Sequence, residues 1–431
     1  MIRIRRGLDL DIPGAPGQRI EPGPLVSTVA LLGADTVGLR PALAVAPGDR
    51  VRTGQLLFTD KRNPGVRFTA PGCGEIVAVH RGARRSFLSV VVRLDGDDAE
   101  EFDAFAPAAL AQLDRTGVRD QLVASGLWTA LRARPFGTIP APDTTPASLF
   151  VTAIDTDPLA PDPALVLQGR ERDFRAGLTL LTRLTDGPVR LCRAAGATIP
   201  GTDVAGVEDH EFAGPHPAGL PGTHIHFLDP VDERRTVWHV GYQDVAAIGA
   251  LFLTGGLPTE RVVALAGPMV ERPRLVRTRL GASTDDLLAG GVPAGAHRVV
   301  SGSVLTGRMA AGPIAFVGRH HRQVCVLSDD RPRQFLAWLR AGRGRSAFTT
   351  AARGDRRAIL PLRTYEKVMP LDVLPTPLLR ALEVRDIERA IELGCLELDE
   401  EDVALLSYVC PGKGEFGADL RAVLAEIEKD R

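Results

Sequence analysis

Nowhere in the 431 residues does a C-x-x-C pair occur. The five cysteines, Cys73, Cys192, Cys325, Cys395 and Cys410, are scattered and odd in number. Neither a disulfide framework nor an iron–sulfur cluster held by this chain alone is therefore expected, and a reducing compartment is. Lysine is nearly missing: of 52 basic residues only Lys61, Lys367, Lys413 and Lys429 are not arginine. That bias reads as a composition pressure on the whole chain. With 53 acidic residues the formal net charge is −1, so there is no polycationic field for nucleic acid. Long apolar runs are lacking as well. The longest uncharged stretch, Phe212 to Leu228, is full of Gly, Pro and His, and Val245 to Thr259 falls short of the roughly 20 apolar residues of a membrane span. The start, MIRIRRGLDLDIPG, has basic residues but no apolar h-region, so no secretion signal is expected. There is no Gly-x-Ser-x-Gly elbow and no paired acid motif for hydrolysis. Gly-x-Gly-x-x-Gly occurs once, at Gly412–Gly417, with only 14 residues beyond it, so no βαβ unit can form there and a loop with a helix cap is expected.

What is present is an ordinary globular balance, 24% charged and 44% hydrophobic, in a chain long enough for two to four domains. Residues 1–100 read as short strands broken by Gly and Pro. Val45 to Phe58 and Phe68 to Val79 alternate around Pro-Gly or Gly turns, and their Gly-Asp-x-Val-x-x-Gly-Gln and Ala-Pro-x-x-Gly patterns resemble the barrel-sandwich hybrid of biotinyl and lipoyl domains. Residues 101–146 form a helical connector, notably Asp120 to Arg132, ending in a Pro-rich boundary. From 147 to 270 strands alternate with helices, which predicts a Rossmann-like parallel α/β domain with strands near Ser148–Ile154, Val189–Arg193 and Arg261–Ala266 and helices near 166–184 and 242–253. Residues 271–340 return to short strands. An Arg/Gly-rich linker then leads, within 341–431, to helices near 376–383, 384–393, 399–408 and 418–428.

Four groups carry candidate chemistry. Lys61, in the hairpin Thr59–Gly65, stands where carrier domains bear their modified lysine, although Asn63-Pro64-Gly65 lengthens the turn and a structural barrel is the default. His216, His224 and His226 could ligate a metal if His-x-His lies on a strand with both rings on one face and Glu211 joins them; the alternative is a Pro/Gly-fixed loop with hydrogen-bonded imidazoles. Arg3–Arg6 and Arg132-Ala133-Arg134 read as solvated faces, or as surfaces docking on acidic subunits or lipid headgroups. Glu397–Asp402 reads as a capped, solvated helix start.

A series of ordered motifs then points to a family. Arg5-Arg-Gly-Leu-Asp-Leu10, Val29-Ala-Leu-Leu-Gly33, Asn63-Pro-Gly-Val66, Ser125-Gly-Leu-Trp-Thr-Ala-Leu-Arg132, Arg134-Pro-Phe136, Gly214-Pro-His-Pro-Ala-Gly219, Arg272-Pro-Arg-Leu-Val-Arg277, Ser301-Gly-Ser-Val-Leu305, Tyr365-Glu-Lys-Val-Met-Pro-Leu-Asp372 and Val409-Cys-Pro-Gly-Lys413 together resemble the A-subunit family of the Na+-translocating NADH:quinone oxidoreductase, a bacterial respiratory sodium pump. Between Trp338 and Ala358 the chain is shorter than that family leads one to expect.

The resemblance implies an α+β, α/β multidomain fold: a barrel-sandwich domain, a Rossmann-like domain, a β-grasp (SLBB-like) domain and a C-terminal helical domain. It implies a peripheral subunit on the cytoplasmic side of the inner membrane, assembled with subunits B to F. Those partners would carry FAD, FMN, riboflavin and iron centres, and NADH oxidation by ubiquinone would drive Na+ export. This chain would hold no flavin or cluster of its own, would not be active alone, and contributes no identified catalytic residue. A quinone head needs a donor and an apolar wall. Leu32, Gly33, Arg40, Trp128, Arg132, Arg134 and Phe136, in two family-like segments, offer that mix, with core aromatics and subunit-facing arginines as the competing reading. Two other functions stay open: a flavin- and NADH-binding subunit like those of complex I or Rnf pumps, and an acyl carrier or scaffold using Lys61.

Overall fold

Alternating apolar residues at the amino-terminal end make two facing sheets. In the computed structural model, which describes residues 1–329 and 355–430, strands Thr28–Leu32, Phe87–Leu94, Gly74–Arg81 and Arg50–Val51 form one antiparallel sheet, and Pro41–Leu43, Leu56–Asp60 and Arg67–Thr69 the other. Val29, Leu57, Phe58, Phe68, Ile76 and Val90 fill the space between them, with the rings of Phe58 and Phe68 stacked 4.5 Å apart. The strands at either end of the first stretch leave this barrel. Ile2–Arg3 runs parallel to Val207–Ala213, and Gly17–Pro22 runs parallel to Arg274–Arg279, so the first 22 residues bind other sheets to the barrel.

The α/β sheet has a run of four parallel strands in spatial order Val207–Ala213, Val189–Ala194, Leu149–Ala153, Val237–Gly241, with Ile2–Arg3 parallel outside Val207–Ala213 and Arg132–Arg134 antiparallel at the opposite edge. Numbered along the chain, that order is 3-2-1-4, so the direction of winding reverses between Leu149–Ala153 and Val237–Gly241. Helices Glu171–Leu181 and Tyr242–Thr254 cover one face, packed around Leu149, Val151 and Leu178. Helix Pro221–Leu228 covers the other, with Ile225 against Phe150 and Phe212. The fourth sheet orders Arg308–Met309, His297–Ser301, Gln323–Ser328, Glu260–Ala266, Arg274–Arg279 and Gly17–Pro22. Helices Arg363–Val368, Pro375–Val384, Ile387–Glu392, Ala404–Val409 and Phe416–Lys429 bury Tyr365, Leu378, Leu382, Phe416 and Leu424 in a separate core, where Cys395 and Cys410 also lie.

Several sequence expectations are corrected. Arg261–Ala266 does not complete the parallel α/β sheet: it pairs antiparallel with Arg274–Arg279 and parallel with Gln323–Ser328. Its unbroken apolar run is that of a strand buried on both faces, which any central strand shows, so local pattern cannot choose its partner. The fourth parallel strand is Val237–Gly241. The helix expected from Asp120 to Arg132 runs from Arg115 to Ser125, because Gly126 takes the left-handed conformation (φ 79°) that ends helices, and Arg132–Arg134 continues as strand. Helix 166–184 is two, Pro163–Val166 and Glu171–Leu181, divided at Gly169 (φ 77°). His224 and His226 lie on helix Pro221–Leu228, initiated by Pro221, and not on a strand, so residues two apart diverge. The predicted helix near 399–408 starts only at Ala404. Of the shortened stretch 338–358 and the linker after 340, residues up to 354 lie outside the described residues.

Candidate functional site

In an open α/β sheet the crevice forms at the carboxyl ends of the strands where the winding reverses. Here those ends are Asp155 and Asp157, just past Leu149–Ala153, and Gly241, from which helix Tyr242–Thr254 departs. The loop before Gln323–Ser328 brings Arg319, His320, His321 and Arg322 to the same place, and the turn after His297–Ser301 brings Ser303 and Arg308. The result is a pair of clefts of about 1270 and 730 Å³ that share Arg132, Asp157, His320, His321, Arg322 and Glu401.

The polar wiring is dense. Arg322 Nε lies 3.1 Å from Asp155 Oδ2, and its guanidinium carbon sits 5.4 Å above the Tyr242 ring. The Arg319 backbone N–H donates to Asp35 Oδ2 (3.0 Å), whose other oxygen lies 2.6 Å from Arg308 Nη2. Arg319 Nη1 and Arg261 Nη2 donate to the same oxygen of Asp244, at 2.8 and 2.6 Å. Ser301 Oγ accepts the Gly318 N–H and lies 2.8 Å from His321 Nδ1. Burial raises Asp155 and Asp157 to about 6, in each case against the pull of Arg322. Burial also lowers His321 to about 3 and holds His239 and His320 well below the ordinary histidine value, with nearby arginines acting in the same direction. The cleft thus pairs fixed guanidinium donors with neutral imidazoles and with carboxyls that protonate under mildly acidic conditions.

A second, apolar cleft of about 570 Å³ lies between the barrel and the α/β domain, walled by Leu31, Leu32, Phe68, Leu127, Leu257 and Leu280, with Asp35 and Arg319 at its polar end.

The seven quinone candidates do not share one cavity. Leu32 lines the apolar cleft, Arg132 the polar clefts, and Phe136 a third cleft with Trp238 and Ile139. Gly33 packs against the Phe87 carbonyl, where a β-carbon would come within 2.3 Å. Arg40 is exposed. Trp128 is buried in the core, its Nε1 donating to Pro140 O at 2.8 Å and its ring set edge-on to Trp238.

Arg134 overturns the solvated reading of Arg132-Ala133-Arg134. Its side chain is fully buried, with Asp399 3.4 Å, Glu401 2.9 Å and Asp402 3.0 Å away, while Arg132 Nη2 donates to Asp399 Oδ2 at 2.9 Å. The expected helix start Glu397–Asp402 is therefore the acidic counterpart of that strand, and Arg421 completes the cluster on Asp399 and Glu400. Partners this far apart in the chain leave no local signal.

The three candidate histidines separate. His216 faces Thr156 and Asp157, His224 lies against the Phe212 ring, and His226 Nδ1 is 2.6 Å from Glu397 Oε2 while its Nε2 accepts the Asp372 N–H. Among the described residues no three His, Cys, Asp or Glu side chains are grouped to hold a metal ion. Lys61 is exposed at the start of the turn after Leu56–Asp60. The residues that sequence reading missed are Asp155, Asp157, Asp244 and Arg319–Arg322. The adjacent Arg319-His-His-Arg322 directly before an apolar strand is the available signal, as is the acidic Asp155-Thr-Asp157 directly after one.

Three family models match. They are the NqrA N-terminal barrel-sandwich hybrid domain over residues 2–95, the NqrA second alpha/beta domain over 113–257, and the NQRA C-terminal domain over 262–312. The chain is 55% identical to a protein of Pseudomonas aeruginosa and 53% identical to one of Klebsiella pneumoniae, each named as the A subunit of a Na(+)-translocating NADH-quinone reductase, with 100% of both chains covered in each comparison. Among solved structures, an NAD+-reducing [NiFe]-hydrogenase in the H2-reduced state matches 76% of this chain and 63% of its own at 14% identity and a TM-score of 0.42, a likeness that does not bear on chemistry.

Proposed function

The chain belongs to the A-subunit family of the Na(+)-translocating NADH-quinone reductase, and on that premise we propose that it works as the peripheral, non-flavin component of that complex. The observation that carries the reading is identity above half along the entire length of both chains. In the assembled enzyme NADH oxidation by ubiquinone drives Na+ export. The chain sits on the cytoplasmic face of the inner membrane beside subunits B to F, which hold FAD, FMN, riboflavin and the iron centres. Among the described residues no helix is long and apolar enough to cross a membrane.

Two features support the division of labour. The strand Leu149–Ala153 runs into Asp155-Thr-Asp157-Pro158, not into the glycines that let a backbone approach a flavin or dinucleotide pyrophosphate. The apolar cleft with Leu32 on its wall has the lining that a quinone ring and the start of its tail require. On this reading quinone contact falls at the seam between barrel and α/β domain, where Leu32 is the sequence candidate on the cleft wall.

The test is a gentle detergent pull-down of the chain from native membranes, with mass spectrometry of co-purifying proteins and NADH:quinone assays with and without Na+. Flavin-bearing membrane subunits and Na+-dependent turnover are expected. A chain that elutes alone ends the proposal.

A further inference from the structure

Asp244 is one carboxylate shared by two guanidinium groups. Arg261 and Arg319 both donate to its Oδ1, and the three side chains are exposed by only 9, 8 and 10% for Arg261, Arg319 and Asp244. The triad therefore carries one uncompensated positive charge away from bulk water, an arrangement that is costly unless a further anion joins it. Arg261 responds accordingly: burial lowers it to about 10 despite Asp244, with Arg319 pushing the same way.

Two more features converge there. Helix Tyr242–Thr254 spans 13 residues and starts at Gly241, which has no side chain to cap it; Asp244, in its first turn, is the acid that faces its positive end, and that end opens on the same cleft. Arg319 Nη2 is buried and meets no hydrogen-bond partner, and neither does His239 Nε2 on the same cleft wall. A buried guanidinium N–H left unpaired calls for an acceptor. Arg322 flanks the same first turn, its guanidinium over the Tyr242 ring.

We propose that this cleft, at the carboxyl ends of Leu149–Ala153 and Val237–Gly241, binds a single phosphoryl oxyanion through Arg319, Arg322 and the amino end of helix Tyr242–Thr254. Asp157 and Glu401 line the same cleft, near enough to Arg322 to act on its charge. They repel a second anionic group and accept hydroxyls, and no glycine turn admits a pyrophosphate, so the ligand is inorganic phosphate or a monoester with hydroxyls, not a diphosphate. Arg319 also borders the apolar cleft, so a quinone competes for it in the test.

The experiment is calorimetric titration of the full chain with inorganic phosphate, and separately with AMP, at constant ionic strength held by chloride. One-to-one binding is expected. Arg319→Gln, which leaves Asp244 paired with Arg261, should weaken it at least about tenfold, the loss of one charged hydrogen bond. Arg322→Gln should weaken it by a smaller factor, and Arg175→Gln, in a surface pair with Asp203, should not change it. Equal affinity for the two ligands assigns free phosphate as the source, and tighter AMP assigns a monoester. If Arg319→Gln fails to fold, Arg322→Gln decides. The proposal is overturned if phosphate and AMP give no saturable heat, which leaves water at Arg319, if both variants bind like the parent chain, or if Arg319→Gln alters only the affinity for a short-chain quinone.

Discussion

Arg134 Nη1 lies 3.0 Å from Asp402 Oδ2, with both side chains sealed from solvent, and this pair ties the antiparallel edge of the α/β sheet to the helical domain. Glu401 and Asp399 close round the same guanidinium, and the Glu397 carbonyl accepts a further N–H at 3.3 Å. Burial raises Asp402 to about 6, while at Asp399 the arginines Arg134 and Arg132 overcome burial and hold the carboxyl well below its ordinary value.

Arg134→Met should leave these carboxylates without their common partner and cost about 3–5 kcal/mol. Urea denaturation gives the loss directly, and limited proteolysis should release a helical fragment from the variant faster than from the parent. An unchanged midpoint would show that Arg132 and Arg421 suffice to hold the cluster.

The helices on one face of the α/β sheet meet through glycines. A β-carbon on Gly249 would stand 1.8 Å from Asp173 O, and one on Gly177 2.0 Å from Val245 O. Gly249→Ala should therefore force helices Glu171–Leu181 and Tyr242–Thr254 apart and cost about 1–3 kcal/mol. Thermal unfolding should show a Tm lower by several degrees, and a variant with the parent Tm would mean that the helices part freely.

Acid sensitivity follows from burial. His216, at about 4, and His224 and His321, at about 3, stay neutral in the fold, as do His239 and His320. In the unfolded chain they protonate near about 6.5, so as the pH drops below that value the unfolded state binds more protons and stability falls. Asp155, Asp157 and Asp402 act oppositely: raised to about 6, they hold protons in the fold that the unfolded chain releases above about 4, which favours the fold on acidification within that window. Glu400, raised by its burial, acts in the same direction, and the five histidines outweigh these four carboxyls. Denaturation midpoints should therefore drop between about pH 6.5 and 5, and His224→Phe, which keeps an aromatic ring against Phe212, should reduce the drop.

Lys61 is exposed, and its backbone N–H donates to Arg40 O at 2.9 Å. Lys61→Arg should leave NADH:quinone turnover of the complex unchanged, and intact mass of the parent chain should equal that of the bare polypeptide. An added prosthetic mass would restore the carrier reading.

The order of modules was readable from sequence because each announces itself locally: Gly-punctuated alternation in the barrel, alternating strands and helices in the α/β domain, and apolar helical periodicity after residue 370. The family motifs were readable for the same reason, being contiguous. Pairing between distant segments was not. The sharing of Arg134 among Asp399, Glu401 and Asp402, the exchange of Ile2–Arg3 and Gly17–Pro22 into other sheets, and the pairing of Glu260–Ala266 with Gln323–Ser328 in the fourth sheet all depend on partners far along the chain. The polar cleft is of the same kind. Its charges come from residues 132, 155–157, 244, 319–322 and 401, each ordinary in its own neighbourhood. Local sequence sets propensity and periodicity, whereas an electrostatic site exists only once the winding of the sheet has reversed beside Leu149–Ala153 and the tertiary fold has excluded water from the charges it gathers there.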